Sequence, residues 1–214
     1  MEIDFPDIPG PLRERGTQIE PAPDLASWTR SAFIAEGAPL ENSDHEHLRH
    51  ARIGVLLTNV RYTTKGKQVC GEAREAAPSG ANDWKRASRR QQLLRWFGEE
   101  WEGQLPDFLI TLDAPYVAGR LEKGDTAAVC ALVEHELYHC AQATDRHGFP
   151  QFDDATGRPK WTVAPHDLEE FTGVAERYGA ATGQLGRMQK ALMEGPTVDP
   201  ADVDAVCGCG ATVG

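Results

Sequence analysis

The sequence is short of several things, and each shortage closes a route. Basic residues are outnumbered, with 22 Lys and Arg against 33 Asp and Glu in 214 residues, a formal charge of −11 and a sequence pI of about 5.1. Such a balance disfavours direct nucleic-acid binding, because phosphates select a basic surface. Long apolar runs are missing. A run such as Ile53 to Leu57 is far too short to span a bilayer, so no membrane partner is expected. The opening residues Met1 to Pro6 are acidic and proline-broken, without the basic stretch and apolar core of a secretory signal. Cysteines are few, odd in number and irregularly spaced: Cys70, Cys130, Cys140, Cys207 and Cys209. That pattern excludes a disulfide framework and points to a reducing, cytoplasmic setting. Cys207 and Cys209 read as two thiols on a flexible tail rather than as a metal site. Internal repeats are absent as well.

What remains is a globular composition, 40% hydrophobic and 26% charged, with enough residues for one domain and a real core. Six prolines (Pro6, Pro9, Pro11, Pro21, Pro23, Pro39) mark residues 1–40 as an extended, flexible leader with a short helix around Asp24 to Ala35. The domain proper is expected over residues 41–195, followed by a flexible tail over 196–214. Ser43 and Glu46 suggest a capping box for a short helix through His50. Ala51 to Asn59 and Lys67 to Glu75 read as strands, separated by a turn at Lys65-Gly66. Trp84, Ala87, Leu94, Phe97 and Trp101 recur at helical spacing, and the basic residues Lys85, Arg86, Arg89, Arg90 and Arg95 on that helix read as a solvated face. Leu105 to Leu112 reads as a third strand, placed at a sheet edge by Pro106. Gly148 to Val163 reads as a loose hairpin, and Pro165 as the first residue of a last firm helix.

Between these lies His135-Glu136-Leu137-Tyr138-His139, an H-E-x-x-H run inside a helix expected from the Asp125 cap to about Ala143. Histidines four apart share one helical face, so both imidazoles can reach one metal ion. The adjacent Glu136 can take a proton from a metal-bound water. The helix is apolar on most faces, and burying these polar groups needs a compensating partner, which a metal supplies.

A catalytic zinc site normally has three protein ligands and one open position. The metzincin continuation fails, because Gln142 and Asp145 stand where Gly and His are required. His166 is the favoured third ligand, since a helix opening at Pro165-His166 can aim a side chain at the first helix. Glu169, Glu170 and His147 remain alternatives. Glu170, one turn after His166, could instead orient a liganding imidazole. His45, His47 and His50 read as a solvated polar helix rather than a second metal site. The strand Phe108 to Leu112 is a candidate for binding substrate as an added strand. Tyr138, Tyr178, Arg177 and His147 are candidate donors to an oxyanion.

Ala131 to Cys140, then Pro165-His166-Asp167-Leu168-Glu169-Glu170-Phe171, then Arg177-Tyr178-Gly179, resemble the phage metallopeptidase family, which is itself similar to the SprT-like zincins. The resemblance covers about residues 45 to 180. It implies an α+β, small zincin-like domain, with a short mixed sheet packed against the H-E-x-x-H helix and a following ligand-bearing helix. It implies Zn2+ held by His135, His139 and His166, Glu136 as general base, and a protein or peptide substrate. It also implies a gene carried by a phage or prophage and action in the bacterial host cytoplasm. The rival expectations are a non-catalytic zinc-containing protein, whose site would be closed by a fourth protein ligand, and an acidic regulatory protein.

Overall fold

The computed structural model describes residues 4–64, 66–77, 83–168, 175, 179, 183–201 and 206–207. Its strands are β1 (Ile19–Pro21), β2 (Ile53–Thr58), β3 (Thr63–Thr64), β4 (Lys67–Glu75), β5 (Phe108–Asp113), β6 (Cys140–Gln142), β7 (Trp161–Val163) and β8 (Val206–Cys207). Its α-helices are α1 (Pro23–Thr29), α2 (Asp83–Phe97), α3 (Ala114–Glu122), α4 (Thr126–His139) and α5 (Gly183–Glu194). A π-helical turn, Arg30–Ile34, continues α1, and Ser43–His50 forms a 3₁₀ helix. The architecture is α+β with a mixed sheet in the order β1-β2-β5-β4-β3, to which β8 adds on β4. The β2–β5 and β4–β8 pairs are parallel, and the others are antiparallel. β6 and β7 form a separate two-stranded ribbon.

The two central strands show why the sheet sits where it does. Side chains alternate across a strand. On one face, Ile53, Val55 and Leu57 of β2 and Phe108, Ile110 and Leu112 of β5 join the main core with Val129, Leu132, Val133 and Leu137 of α4. On the other face, Leu56 and Leu109 meet Leu93 and Phe97 of α2. Both faces are covered, which is why β2 and β5 read as nearly continuous apolar runs. Gly54 lets α2 approach closely: a Cβ there would lie 3.0 Å from both Leu109 Cδ2 and Phe97 Cζ.

Several elements differ from their sequence readings for identifiable reasons. Pro106 does not make β5 an edge strand, because it precedes the ladder, whose first donors, Asp107 N and Phe108 N, both reach Arg52 O. β5 lies between β2 and β4, so neither of its edges is open to a peptide. The 3₁₀ helix is capped by the Asn42 side chain, which accepts from Asp44 N, rather than by a Ser43–Glu46 box. Helix α3 was not read from the sequence. It starts where Asp113 Oδ1 accepts from Tyr116 N, with Pro115 in the first turn. On α2 the basic face is exposed as expected, but so is Trp84, at 89%, and the helix turns only Leu93 and Phe97 fully inward. Pro165 to Leu168 is irregular rather than the start of a helix, and the remainder of the expected last helix falls mostly outside the described residues.

The proline-rich stretch is ordered and packed, with β1, α1 and the π-helical turn all falling within it. Ile8, Leu12, Leu25, Phe33 and Ile34 are buried in the same core as α4. β1 pairs with β2, and Asn59 ties the segment down by accepting from Gln18 N and donating to Pro11 O. Arg15 reaches the buried Asp113 at 2.5 Å. Leu12→Ala should therefore cost about 2–4 kcal/mol in urea unfolding, the range for emptying a buried leucine site. A change within about 0.5 kcal/mol would mean that the segment stands off the core.

Candidate metal centre

Helix α4 begins where Asp125 Oδ1 accepts from Ala128 N, and it ends at His139, where the chain turns directly into β6. Its apolar side packs on β4 and the central strands, and Glu136, on that same buried side, is completely inaccessible. A glycine makes room for it. A Cβ at Gly71 of β4 would lie 2.4 Å from Glu136 Oε1 and 3.0 Å from its Cδ.

The β6–β7 ribbon starts at the end of α4 and returns to it. Ala164 N donates to His139 O at 2.9 Å, and Ala164 O lies 2.6 Å from His139 Nδ1. A carbonyl can only accept, so Nδ1 carries the proton and Nε2 is left to face the cluster. Two residues later the chain delivers His166. His166 Nε2 lies 3.1 Å from His135 Nε2, which in turn lies 3.3 Å from His139 Nε2. The structure thus brings together the three histidines singled out in the sequence, but it positions His166 by the return of a ribbon rather than by a helix start.

A fourth group joins them. Cys207 Sγ lies 3.3 Å from His139 Nε2 and 3.7 Å from Glu136 Oε2. The ligand atoms of His135, His139, His166 and Cys207 all fall within 4.8 Å of one another. Sequence reasoning missed Cys207, having assigned the C-x-C pair to a flexible tail. The pairing of β8 with β4 brings it in, setting Cys207 opposite Gly71. It lies 41 residues beyond His166 and 68 beyond His139, so no spacing rule pointed to it.

The donor set fits a metal ion. Tetrahedral metal–nitrogen bonds of about 2.0–2.1 Å place nitrogen–nitrogen edges at about 3.3 Å, close to the two observed spacings. Three nitrogens and a sulfur are the ligand atoms that zinc takes in tetrahedral sites. With its Nδ1 proton donated to Ala164 O, His139 turns an Nε2 lone pair toward the cluster, which a shared cation would accept. Burial first, and then His139 and His166, push the His135 imidazole down to about 4, so it is neutral and ready to ligate near neutral pH.

The other sequence candidates sit elsewhere. His147 is exposed on a turn and receives Arg146 Nε at 3.0 Å. Glu169, Glu170, Arg177 and Tyr178 lie outside the described residues. The Tyr138 hydroxyl bonds to Asn42 at 2.8 Å and Asp44 at 3.1 Å, on the 3₁₀ helix. That helix is not the solvated polar helix read from its sequence. His45 is 1% exposed, 3.7 Å from Glu134, and His47 Nε2 donates to Cys140 O at 2.8 Å. The His45 imidazole, with the Asn42 amide, holds the Glu134 carboxyl below its ordinary range despite its burial. These contacts brace the outer side of α4, and among the described residues the three histidines form no second metal cluster. Cys140 is buried with its thiol 3.4 Å from Glu136 O and is not part of the cluster. A cavity of about 680 Å³, lined by residues including His50, Arg52, Trp101 and Arg158, contains none of the cluster residues.

The fold and the cluster define a small α+β protein with a candidate metal centre on a buried helix. The chain belongs to the family described as "Putative phage metallopeptidase", whose model matches residues 26–194, and Cys207 falls beyond that match. No curated protein and no solved structure matches the chain. Among the described residues no helix is long and apolar enough to cross a membrane.

The depressed His135 has a consequence for the metal-free protein. Between the ordinary value of 6.5 and about 4, the unfolded chain holds a proton at this position and the folded chain does not. Stability therefore falls as pH falls through that window. Chelator-treated protein should melt progressively lower between about pH 7 and about pH 4.5, and His135→Leu should flatten the trend. An unchanged slope in the variant would remove His135 as its source.

Proposed function

We propose that the protein is a zinc-dependent metallopeptidase with a zincin-like catalytic arrangement, encoded by a phage or prophage and acting on protein or peptide substrates in the bacterial cytoplasm. The reading is carried by one observation: three imidazole nitrogens, two of them from α4, converge beside a fully buried glutamate of that helix.

His135, His139 and His166 would hold the ion through Nε2. Bound zinc supplies Lewis acidity, bringing the pKa of water toward neutrality and polarising the scissile carbonyl. Glu136 takes the proton of the attacking water at Oε2, the oxygen that faces the cluster, and passes it to the leaving amine. Its pocket between α4 and β4 keeps that carboxylate in one position and excludes bulk water. The Ala164 carbonyl fixes the ring of His139. An extended peptide would pair with the part of β4 that runs past β3, because β5 has neighbours along both sides. The net charge of −11 argues against nucleic acid as a direct partner.

The fourth donor, Cys207, favours a second reading, a closed and non-catalytic zinc site. Glu136 weighs against it, since a purely structural site has no use for a buried carboxylate beside its ligands. A bacterial lysate treated with zinc-loaded protein, with new N-termini enumerated by mass spectrometry, separates the two. The comparison belongs in both the parent and the Cys207→Ser backgrounds, because the thiol shares the Glu136 side of the cluster. Glu136→Gln should bind zinc in the same stoichiometry and produce no new termini. Termini that persist in Glu136→Gln would remove it as the base, and their absence in every form would leave the closed site standing.

Gly71→Ala tests the pocket of the base. The clashing atoms are the end of the Glu136 side chain and Leu132 Cδ1, so the fold can yield by moving the carboxylate. Zinc content and unfolding midpoint should change little, while cleavage falls by about a hundredfold, the cost of a displacement near 1 Å in a catalytic group. Undiminished cleavage would show that Glu136 need not stay where Gly71 allows it.

A further inference from the structure

Three features of the chain beyond residue 195 bear on the site. Thr197 to Asp199 line a cavity of about 540 Å³ together with Thr126, Ala127, Cys130, Ala131 and Glu134 of α4, so the tail crosses the outer side of the helix that carries His135 and His139. Val206 and Cys207 then pair in parallel with β4, with Val206 opposite Val69 and Cys207 opposite Gly71. Gly71 is the residue that makes room for Glu136. The tail thiol therefore arrives where the base, the metal-facing histidines and the edge strand meet, 3.7 Å from Glu136 Oε2 and 3.3 Å from His139 Nε2.

We propose that the segment carrying Val206 and Cys207 is an internal plug of the metallopeptidase site, in which the Cys207 thiolate supplies the fourth metal ligand and β8 occupies the β4 edge that an extended peptide substrate would use. The inference rests on the proposed metallopeptidase function and adds the regulation of that site. Two geometric facts support it separately. A catalytic site needs an open position facing the general base, and the Cys207 sulfur stands on that side of the cluster. Past the two residues that β3 covers, β4 runs on next to the ligand-bearing helix, a natural seat for an extended peptide, and β8 is seated there. Binding the thiol as thiolate releases one proton to solvent, and no bond other than S–H is broken. Displacing the plug returns the position to water and the strand edge to substrate, with no oxidant or reductant required.

The test uses the full chain loaded with cobalt(II) in place of zinc. Thiolate ligation gives a near-ultraviolet sulfur-to-cobalt charge-transfer band. That band should be present in the parent, lost in Cys207→Ser and retained in Cys209→Ser, with cobalt bound in equal stoichiometry in all three. In parallel, zinc-loaded Cys207→Ser should cleave fluorescein-labelled casein several-fold faster than the parent. In the unmodified parent, zinc should slow alkylation of Cys207 by iodoacetamide, read by peptide mass spectrometry, which keeps the test independent of how the variant folds. Full cobalt binding without the band, or Cys207 alkylated equally with and without zinc, overturns the ligation and leaves the three-histidine peptidase reading intact. Equal casein cleavage by parent and Cys207→Ser, with the band present, overturns the plug while leaving that reading intact. Failure to bind either metal overturns the metallopeptidase reading and the plug with it.

Discussion

Packing several lone-pair donors and a carboxylate against one apolar helix is the constraint on which the rest depends. Glu136 has no access to solvent, and His139 has almost none, yet both sit on a helix whose neighbouring positions are Leu132, Val133 and Leu137. Burying such groups without compensation costs several kcal/mol. The protein responds with a local division of labour. His139 spends its Nδ1 proton on the Ala164 carbonyl and turns Nε2 toward His135 and His166. A metal ion shared by the cluster would supply that compensation, because the converging atoms are of the kinds that donate electron pairs to a metal. Much of the surrounding architecture is positional in this light. The ribbon brings back His166, the 3₁₀ helix braces Glu134 and Tyr138, and β4 walls in Glu136.

β4 carries more of the site than its sequence suggests. Its other buried residues, Val69, Cys70 and Ala73, are small or medium apolar groups such as any inner strand could have. Gly71 is different. It stands at the point where α4 presses a carboxylate against the sheet, and any side chain would occupy the volume that Glu136 Oε1 fills. The same residue is the register partner of Cys207. One missing side chain thus lets three segments far apart in sequence, at positions 71, 136 and 207, meet at a single place. A glycine in a strand interior usually weakens it, and here the lost side-chain packing is exchanged for the close approach of the Glu136 carboxylate to the sheet.

How much of this was legible follows from the range of each interaction. The bounds of β4, the Asp125 cap and the H-E-x-x-H face depend on neighbours within a few residues, and each could be read directly from Lys67 to Glu75 and from Asp125 to His139. The convergence of His166 was readable as an assignment but not as a structure. A Pro-His-Asp run looks like a helix start, whereas the actual device is a ribbon whose return is fixed by two contacts between Ala164 and His139. The position of β5 was misread because Pro106 was given the weight of a strand residue when it lies before the ladder. The leader was misjudged for a related reason. Proline density reports local backbone restriction, and a proline-rich segment can still bury Ile8 just ahead of a 3₁₀ turn, Leu12 within that turn and Phe33 in a π-helical turn.

Cys207 is the sharpest case, because local sequence gave it a sound but wrong setting. Val206-Cys207-Gly208-Cys209 has no helical or strand period, and two cysteines one residue apart cannot by themselves reproduce a tetrahedral site. The information lies in the partner instead: an edge strand with a glycine, next to a helix that offers two imidazoles and a carboxylate, is incomplete as a surface. An extended segment that pairs there satisfies the backbone donors and acceptors without adding another layer, as β8 does at Val69 and Gly71. On the proposed peptidase reading, an extended substrate would take that place. On that reading this chain supplies a segment of its own, with a thiol on the Glu136 side of the cluster, so the geometry proposed to recognise substrate is also the geometry proposed to hold the site closed.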